Sequence, residues 1–434
     1  MDLQELPGFY RQLDSRYRIV NGDLDSATYT NVESNFTYSA GFARHRWFHY
    51  KEGFSPVLVE RLLDECRLDR DSVVCDPFCG AGTTLAVAKA RGMRSYGFEV
   101  NPFAAFITRV KTAGYTPGDM EEFQGLLAGL GEVDPVAPRP LPENEYLRRI
   151  FAPEMLTVQL NLRAHLNSLP EGRARELLYF AWLCTLEDCS LYRKAGNGLK
   201  KKLHPPAYEE GGAFSFALEL VRRKAASMLE DYSPEEGPLP ELYNDSATTL
   251  KERLPRDSVD LVLFSPPYAN CFDYTKIYYL ELWFGGFVAS AGDQKAIRMR
   301  SLRSHCHATW PERYTGFRLP PLHNELLPLL RQQPLWTKRI PDMLSGYFAD
   351  MEEVLRQVYG ALREGGRCAI VVSNSAYAGI VVPTDAFLAE IAERLGFRVR
   401  EIEVQRLIIT SSQQYQKTQH LRRYLRESIV KLEK

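Results

Sequence analysis

The 434-residue sequence predicts an α/β fold, a Rossmann-like doubly wound sheet interrupted by a mainly helical insert. Three observations carry that expectation. Residues 72–99 change period from apolar run to helix and back to apolar run, the pattern of a βαβ unit. The apolar run "VDLVLF" stops at two prolines, which cannot continue a central strand. From about residue 346, helix and strand alternate to the C-terminus.

The elements follow in chain order. "SPVLVERLLDEC" places Ser55 as N-cap and Pro56 at the first helical position, with apolar residues at helical spacing behind them. Residues 72–75 read as a strand, a glycine turn follows, residues 83–91 read as a helix stopped by Gly92, and a second strand ends at Glu99. Residues 1–112 are thus the first part of the sheet domain. At 113–240 the pattern changes to the proline-rich linker "GEVDPVAPRPLPENE" and amphipathic helices such as "RARELLYFAWLCTLEDC", which read as an insert. Residues 241–290 return to the sheet through "VDLVLF", 291–345 form a second, irregular insert, and 346–434 complete the sheet domain.

Composition excludes several classes. Hydrophobic content of 45% and charge of 25% are those of a globular protein. A net charge of −1 does not favour nucleic acid, so basic patches must be sought locally. The N-terminus carries acids where a signal peptide needs a basic region, and no run reaches the roughly 18 apolar residues of a membrane span. A cytoplasmic location without membrane partners is expected. Eight cysteines lie scattered, as buried thiols of a reducing compartment do. Cys75 and Cys79 lack a third ligand at cluster spacing, and His305-Cys306-His307 lacks a matching pair, so no metal is expected.

In "DPFCGAGTT", Gly80 and Gly82 stand at a strand exit, where a missing Cβ lets a ligand approach the backbone. No lysine follows Gly82, which rules out a phosphate loop, and Leu85 replaces the third glycine of the dinucleotide fingerprint. Glu99, just under twenty residues on, ends the next strand where a carboxylate accepts hydrogen bonds from ribose hydroxyls. Asp76 suits a ligand carrying an ammonium group. A nucleoside with an amino-acid ammonium and no phosphate describes S-adenosylmethionine.

"DPFCGAGTT" resembles the cofactor motif D-P-F-x-G-S/A-G-T-T of the amino-group DNA methyltransferases, the N4-cytosine and N6-adenine family. "SPPY" resembles that family's catalytic motif D/N/S-P-P-Y/F/W. The resemblance extends to Glu99, to the "NDSA" turn, and more loosely to "WFHYKEGFSP"; it covers about half the chain and leaves the inserts unexplained. It implies a methyltransferase sheet with a target-recognition insert, and S-adenosylmethionine held by Phe48, Asp76, Pro77, Phe78, Gly80, Gly82, Thr83, Thr84, Glu99, Val100, Asn101, Asp245 and Ser246. Asp245 would contact the adenine. The insert precedes the Asp245 turn instead of leading directly into the catalytic strand, which leaves open which insert reads DNA.

The implied chemistry accounts for the odd tetrapeptide Ser265, Pro266, Pro267 and Tyr268. An exocyclic amino nitrogen is a poor nucleophile because its lone pair is delocalised into the ring. The Ser265 side chain and the Pro266 carbonyl would accept its two N–H bonds, the prolines would fix those acceptors, and transfer becomes largely a matter of orientation. Tyr268 would stack on a base flipped out of the duplex. Cys271 reads as incidental. Serine in the first position resembles the N4-cytosine branch, with N6-adenine as the alternative.

The expected partner is double-stranded DNA, with a cognate restriction endonuclease admitted by a restriction-modification or defence setting. "YRKAGNGLKKKLHPP" groups Arg193, Lys194, Lys200, Lys201 and Lys202 around a flexible Gly-Asn-Gly, as a phosphate-gripping loop would. Arg298, Arg300, Arg303 and Trp310, then Gln413 and Gln414, are the further candidates for DNA contact. The rivals are an RNA or protein-amide methyltransferase and a non-catalytic DNA-binding regulator.

Overall fold

The computed structural model describes residues 2–21, 33–34, 36–51, 53–196, 198–234, 237–306, 316–408 and 412–434, with the side chains of 36–38, 412 and 413 excepted. Twelve strands are seen among them: β1 (Ile19–Val20), β2 (Val73–Asp76), β3 (Arg94–Phe98), β4 (Tyr192–Ala195), β5 (Gly198–Lys201), β6 (Glu241–Tyr243), β7 (Val259–Phe264), β8 (Leu362–Ser373), β9 (Ser375–Tyr377), β10 (Ile380–Val382), β11 (Arg398–Leu407) and β12 (Arg426–Glu433). Eight of them form one sheet in the order β1-β11-β12-β8-β7-β2-β3-β6. β6, β3, β2, β7 and β8 run parallel, whereas β12 is antiparallel to both neighbours.

The central strands show why the sheet needs helices on both faces. Along β7, Val262 and Phe264 join the core on one face while Leu261 and Leu263 join the core on the other. β8 repeats the alternation, with Cys368, Ile370 and Val372 on the first face and Ala369 and Val371 on the second. Helices Ile340–Ala361 and Thr384–Arg394 cover the first face; Pro56–Glu65 and Thr83–Ala90 cover the second. Ser55 caps the helix it was expected to cap, its Oγ accepting from Leu58 N.

Chain order reverses between β2 and β7: from β2 the sheet grows through β3 to β6, and from β7 it grows the other way. A crevice opens at the carboxyl ends of strands at such a point. Both sequence motifs leave the sheet there, "DPFCGAGTT" from β2 and "SPPY" from β7.

Among the described residues from 113 to 240, the regular elements are helices joined by irregular linkers, apart from the β4–β5 hairpin. It has no core to itself. Phe151, Leu162, Trp182 and Val221 pack in one cluster with Trp47, Phe48, Tyr50, Phe103 and Ile107, and with Ile277 and Phe284 downstream of the "SPPY" turn. Two corrections concern boundaries and shape. The boundary expected at 345/346 falls inside helix Ile340–Ala361, because Pro341 sits in that helix's first turn, where a missing N–H costs nothing. The basic stretch expected as a flexible loop is a paired hairpin; Asn197 at its tip lies outside the described residues, as do His307 and Trp310.

Candidate active site

A cleft of ≈ 1020 Å³, open mouth included, lies at the carboxyl ends of β2, β3 and β7. Its floor is backbone. Gly80 and Gly82 have φ of +50° and +74°, and a Cβ on Gly80 would stand 3.0 Å from the Tyr50 ring. Glu99 binds this turn with both oxygens, accepting from Gly80 N at 3.0 Å and from Asn101 N at 2.7 Å. Thr108 Oγ1 and Lys111 Nζ donate to the carbonyls of Gly80 and Ala81 at 2.8 and 2.7 Å, holding the turn from below. Burial pushes Lys111 down to about 7.

Of the residues expected to hold a cofactor, Pro77, Phe78, Gly80, Thr83, Glu99, Val100, Asn101, Asp245 and Ser246 line the cleft. Asp76, Gly82 and Thr84 do not. Asp76 is 1% exposed, and its oxygens accept from Thr84 Oγ1 at 2.6 Å and Phe78 N at 3.0 Å, so it braces the turn. Phe48 is a correction: it is buried among Phe103, Phe180 and Tyr278, and Tyr50 is the aromatic of that segment that reaches the cleft. Tyr50 stacks on Tyr278 at 4.9 Å, which fixes its ring.

Two carboxylates face the cleft with different character. Desolvation pushes Glu99 up to about 7, against the pull of the Asn101, Gly80 and Val100 N–H groups. Burial would also raise Asp245, but the Ser246 N–H and the Arg300 guanidinium, 3.2 Å from Oδ1, hold it below the ordinary carboxylate range. Arg300 also donates to Asn244 O at 2.6 Å. Arg298 pairs with buried Asp273 at 2.9 Å. Both arginines therefore build the cleft wall, whereas Arg303 is buried against Asp350, out of reach of a duplex.

At the other end, Ser265 and Pro267 line the cleft and Pro266 is buried behind them. The Tyr268 hydroxyl lies 3.3 Å from Ser265 Oγ. Cys271 is packed away beneath, its sulfur 3.5 Å from that of Cys306. The far wall comes from Phe272, Tyr274 and Thr275, with Ile297 and Leu302 of the second insert. Sequence reasoning missed these and Tyr50; the aromatic run "FDYTKIYY" beside the "SPPY" turn was the available signal.

The hairpin sits at the cleft's edge. Lys51 Nζ donates to Gly196 O at 3.0 Å, and β5 packs on helix Tyr274–Ile277. Lys194 is buried between Glu187 and Glu281, and Lys202 Nζ donates to the Glu187 and Asp188 carbonyls, so neither is a surface cation as expected. Arg193, Lys200 and Lys201 are exposed. Gln414 accepts from Gly379 N at 2.8 Å, while the Gln413 side chain lies outside the described residues. Among the described residues, no group of three or more His, Cys, Asp or Glu is placed to hold a metal, and no helix is long and apolar enough to cross a membrane.

A doubly wound sheet with a glycine turn, acidic strand ends and a Ser-Pro-Pro-Tyr exit meeting at its switch point has its ligand cleft where open α/β sheets bind nucleotide-like ligands, the arrangement expected of the methyltransferases that the two motifs resemble. Residues 20–108 match the N6/N4 methyltransferase family model, described as DNA methylase. The chain is 27% identical over 442 residues to the Type II methyltransferase M.AvaI of Nostoc sp., covering 93% of this chain and 88% of that one. It is 27% identical over 406 residues to the Type II methyltransferase M.BsoBI of Geobacillus stearothermophilus, covering 82% and 78%. Among solved structures, TrmN from Thermus thermophilus aligns with 93% of this chain and 53% of that one at 11% identity and a TM-score of 0.31, too distant to carry an argument. These similarities support the N6/N4 amino-methyltransferase family, and the cofactor is S-adenosylmethionine.

Proposed function

We propose that this protein is a site-specific DNA methyltransferase that methylates the exocyclic amino group of a flipped-out base, N4 of cytosine, as the modification arm of a restriction-modification system. The observation that carries the reading is that Ser265 and Pro267 open onto the same cleft as Gly80, Glu99 and Asp245. An amino group held at the proline turn would therefore face a cofactor held at the glycine turn.

The residues fit that cofactor. Glu99 offers lone pairs for ribose hydroxyls, and Asp245 offers a carboxylate for an adenine amino group. Phe54, Phe78 and Tyr50 offer apolar and aromatic surface, and the Asn101 amide nitrogen is buried without a partner on the same wall. When bound, S-adenosylmethionine supplies an electrophilic methyl on a sulfonium. The chain's own work is orientation: Ser265 Oγ and the Pro266 carbonyl accept the amino hydrogens beside the aromatic wall of the cleft. Tyr268 stacks on the base, and Arg193, Lys200 and Lys201 contact backbone phosphates. The two Type II relatives support a DNA substrate.

Cytosine is favoured by the serine, which is smaller and a weaker acceptor than a carboxylate or amide and leaves a pocket of different shape. Incubation of the purified protein with cofactor and DNA or RNA, digestion to nucleosides and mass spectrometry test the reading. N4-methylcytosine in DNA is expected. N6-methyladenine as the only product would overturn the cytosine assignment, and product in RNA alone would overturn the DNA substrate.

A further inference from the structure

A second cavity, of ≈ 380 Å³, adjoins the cleft, and the two share Gly53, Phe54 and Ser265. Its remaining wall is mostly polar, with Tyr268, Glu427, Arg406, Lys51 and Ser34 beside Val371. Glu427 is buried near the start of β12, where the sequence shows no motif. Its Oε1 accepts from the Tyr268 hydroxyl at 3.0 Å. Its Oε2 accepts from Ser34 Oγ at 2.6 Å and from Arg406 Nε at 2.7 Å.

These hydrogen bonds order the protons. An ionised carboxylate can only accept, so Tyr268 commits its single hydroxyl proton to Glu427. The Tyr268 oxygen then accepts from Ser265 Oγ, 3.3 Å away. The serine's proton is directed to the second cavity, and its lone pairs are left for the cleft. A serine hydroxyl can donate or accept; Glu427, acting through Tyr268, settles which.

We propose that Glu427 is a positioning residue that makes Ser265 a hydrogen-bond acceptor toward the target amino group, and that Ser265, Tyr268 and Glu427 carry away the proton this nitrogen must lose. The proposal rests on the reading of the site as a nucleobase amino-methyltransferase. The acceptor nitrogen gives its lone pair to the new N–C bond, the electrons of the broken S–C bond stay on sulfur, and the nitrogen is left with one proton too many. That proton passes to Ser265 Oγ as the serine's proton moves to Tyr268 and the tyrosine's to Glu427 Oε1. Positive charge leaves the base, Glu427 ends as a neutral acid, and proton release to water resets the chain. A weak base suffices, because deprotonation returns the nitrogen lone pair to the ring.

The test compares the full-length wild type with Glu427→Gln, Glu427→Asp, Tyr268→Phe and the Tyr268→Phe/Glu427→Gln double variant. Calorimetry gives cofactor affinity, fluorescence anisotropy gives DNA affinity, and single-turnover transfer is followed across pH. Glu427→Gln should bind cofactor and DNA within about twofold of wild type and transfer about 100-fold more slowly, the usual size of a lost proton acceptor. Glu427→Asp should recover part of the rate. The double variant should be no slower than the slower single, since both break one chain. Wild-type transfer rates in Glu427→Gln, or losses that multiply in the double variant, overturn the proposal. So does a Glu427→Gln variant that loses cofactor affinity and melting temperature in step with rate. A wild-type protein that methylates no nucleic acid overturns the parent reading as well, an outcome distinct from an active wild type with an indifferent Glu427.

Discussion

Replacing Glu99 by glutamine should take a pH dependence out of cofactor binding. Desolvation holds the Glu99 carboxyl up at about 7, and its two oxygens already accept from Gly80 and Asn101. Accepting further hydrogen bonds from ribose hydroxyls favours the ionised form, so the cofactor selects it. With half-ionisation near 7, about a tenth of the molecules are competent at pH 6 and nearly all at pH 8, which makes apparent affinity about tenfold weaker at pH 6. Asp76 is also pushed up to about 7, first by burial and in part by the Glu99 charge, so removing that charge relaxes its neighbour too.

The stability of the free protein should trend oppositely. Both carboxyls have folded values above their unfolded ones, so their contribution is fully present below about pH 4 and is lost as pH rises through about 7. Glu99→Gln keeps the shape but turns an NH₂ toward one of the two backbone N–H groups, costing roughly 1–3 kcal/mol for a donor left unpaired. Titration calorimetry at pH 6 and pH 8, in buffers of different ionisation enthalpy, measures affinity and counts the protons released. Wild-type affinity that is equal at the two pH values, or a glutamine variant that keeps the tenfold change, would refute the reasoning.

Gly80→Asp should abolish cofactor binding without unfolding the protein, because the new side chain enters the cleft 3.0 Å from Tyr50 on a backbone with φ of +50°; near-normal affinity by calorimetry would show the cofactor to lie elsewhere. Lys194→Met strands Glu281, which is 1% exposed and already raised by burial. The expected loss is roughly 3–5 kcal/mol, as for a broken buried pair, and it should be larger at pH 8 than at pH 6 because Glu281 must take up a proton to be tolerated. Chemical denaturation at both pH values reads it, and a loss under 1 kcal/mol at both would contradict the buried pair. Alanine at Arg193, Lys200 and Lys201 together should flatten the salt dependence of DNA binding by about 0.9 in logarithmic slope for each phosphate no longer neutralised, leaving cofactor affinity unchanged. An unchanged slope would assign the hairpin's cations to solvent.

What was legible in the sequence is the part of the site made by backbone. The glycine turn, the Glu99 strand end and the Ser265 exit are each built from a few adjacent residues, and turn chemistry is local, so a short motif is enough to place them. The side walls obey no such rule. Lys194 reads as one of a phosphate-gripping basic run, yet Glu281, the carboxylate that buries it, lies 87 residues away. Arg298, Arg300 and Arg303 read as a basic cluster for DNA, and each instead meets a carboxylate from another part of the chain, Asp273, Asp245 or Asp350. Choosing Tyr50 over Phe48 required knowing which way two aromatics two residues apart turn, and that is decided by Tyr278 and Phe103, far along the chain.

Asp76 shows how a residue read locally as a ligand's partner can be engaged within its own turn. A carboxylate at a strand exit invites pairing with a ligand's ammonium, but both Asp76 oxygens are taken by Thr84 and Phe78 of its own turn. Its work is to hold Gly80 where a ligand can meet the backbone. Asp76→Asn should then keep much of the cofactor affinity, since an amide oxygen can still accept from Phe78 N, whereas Asp76→Ala frees Thr84 and loosens the turn. Calorimetry of the two variants separates the roles: an ammonium partner predicts equal loss in both, and a brace predicts loss chiefly in the alanine variant.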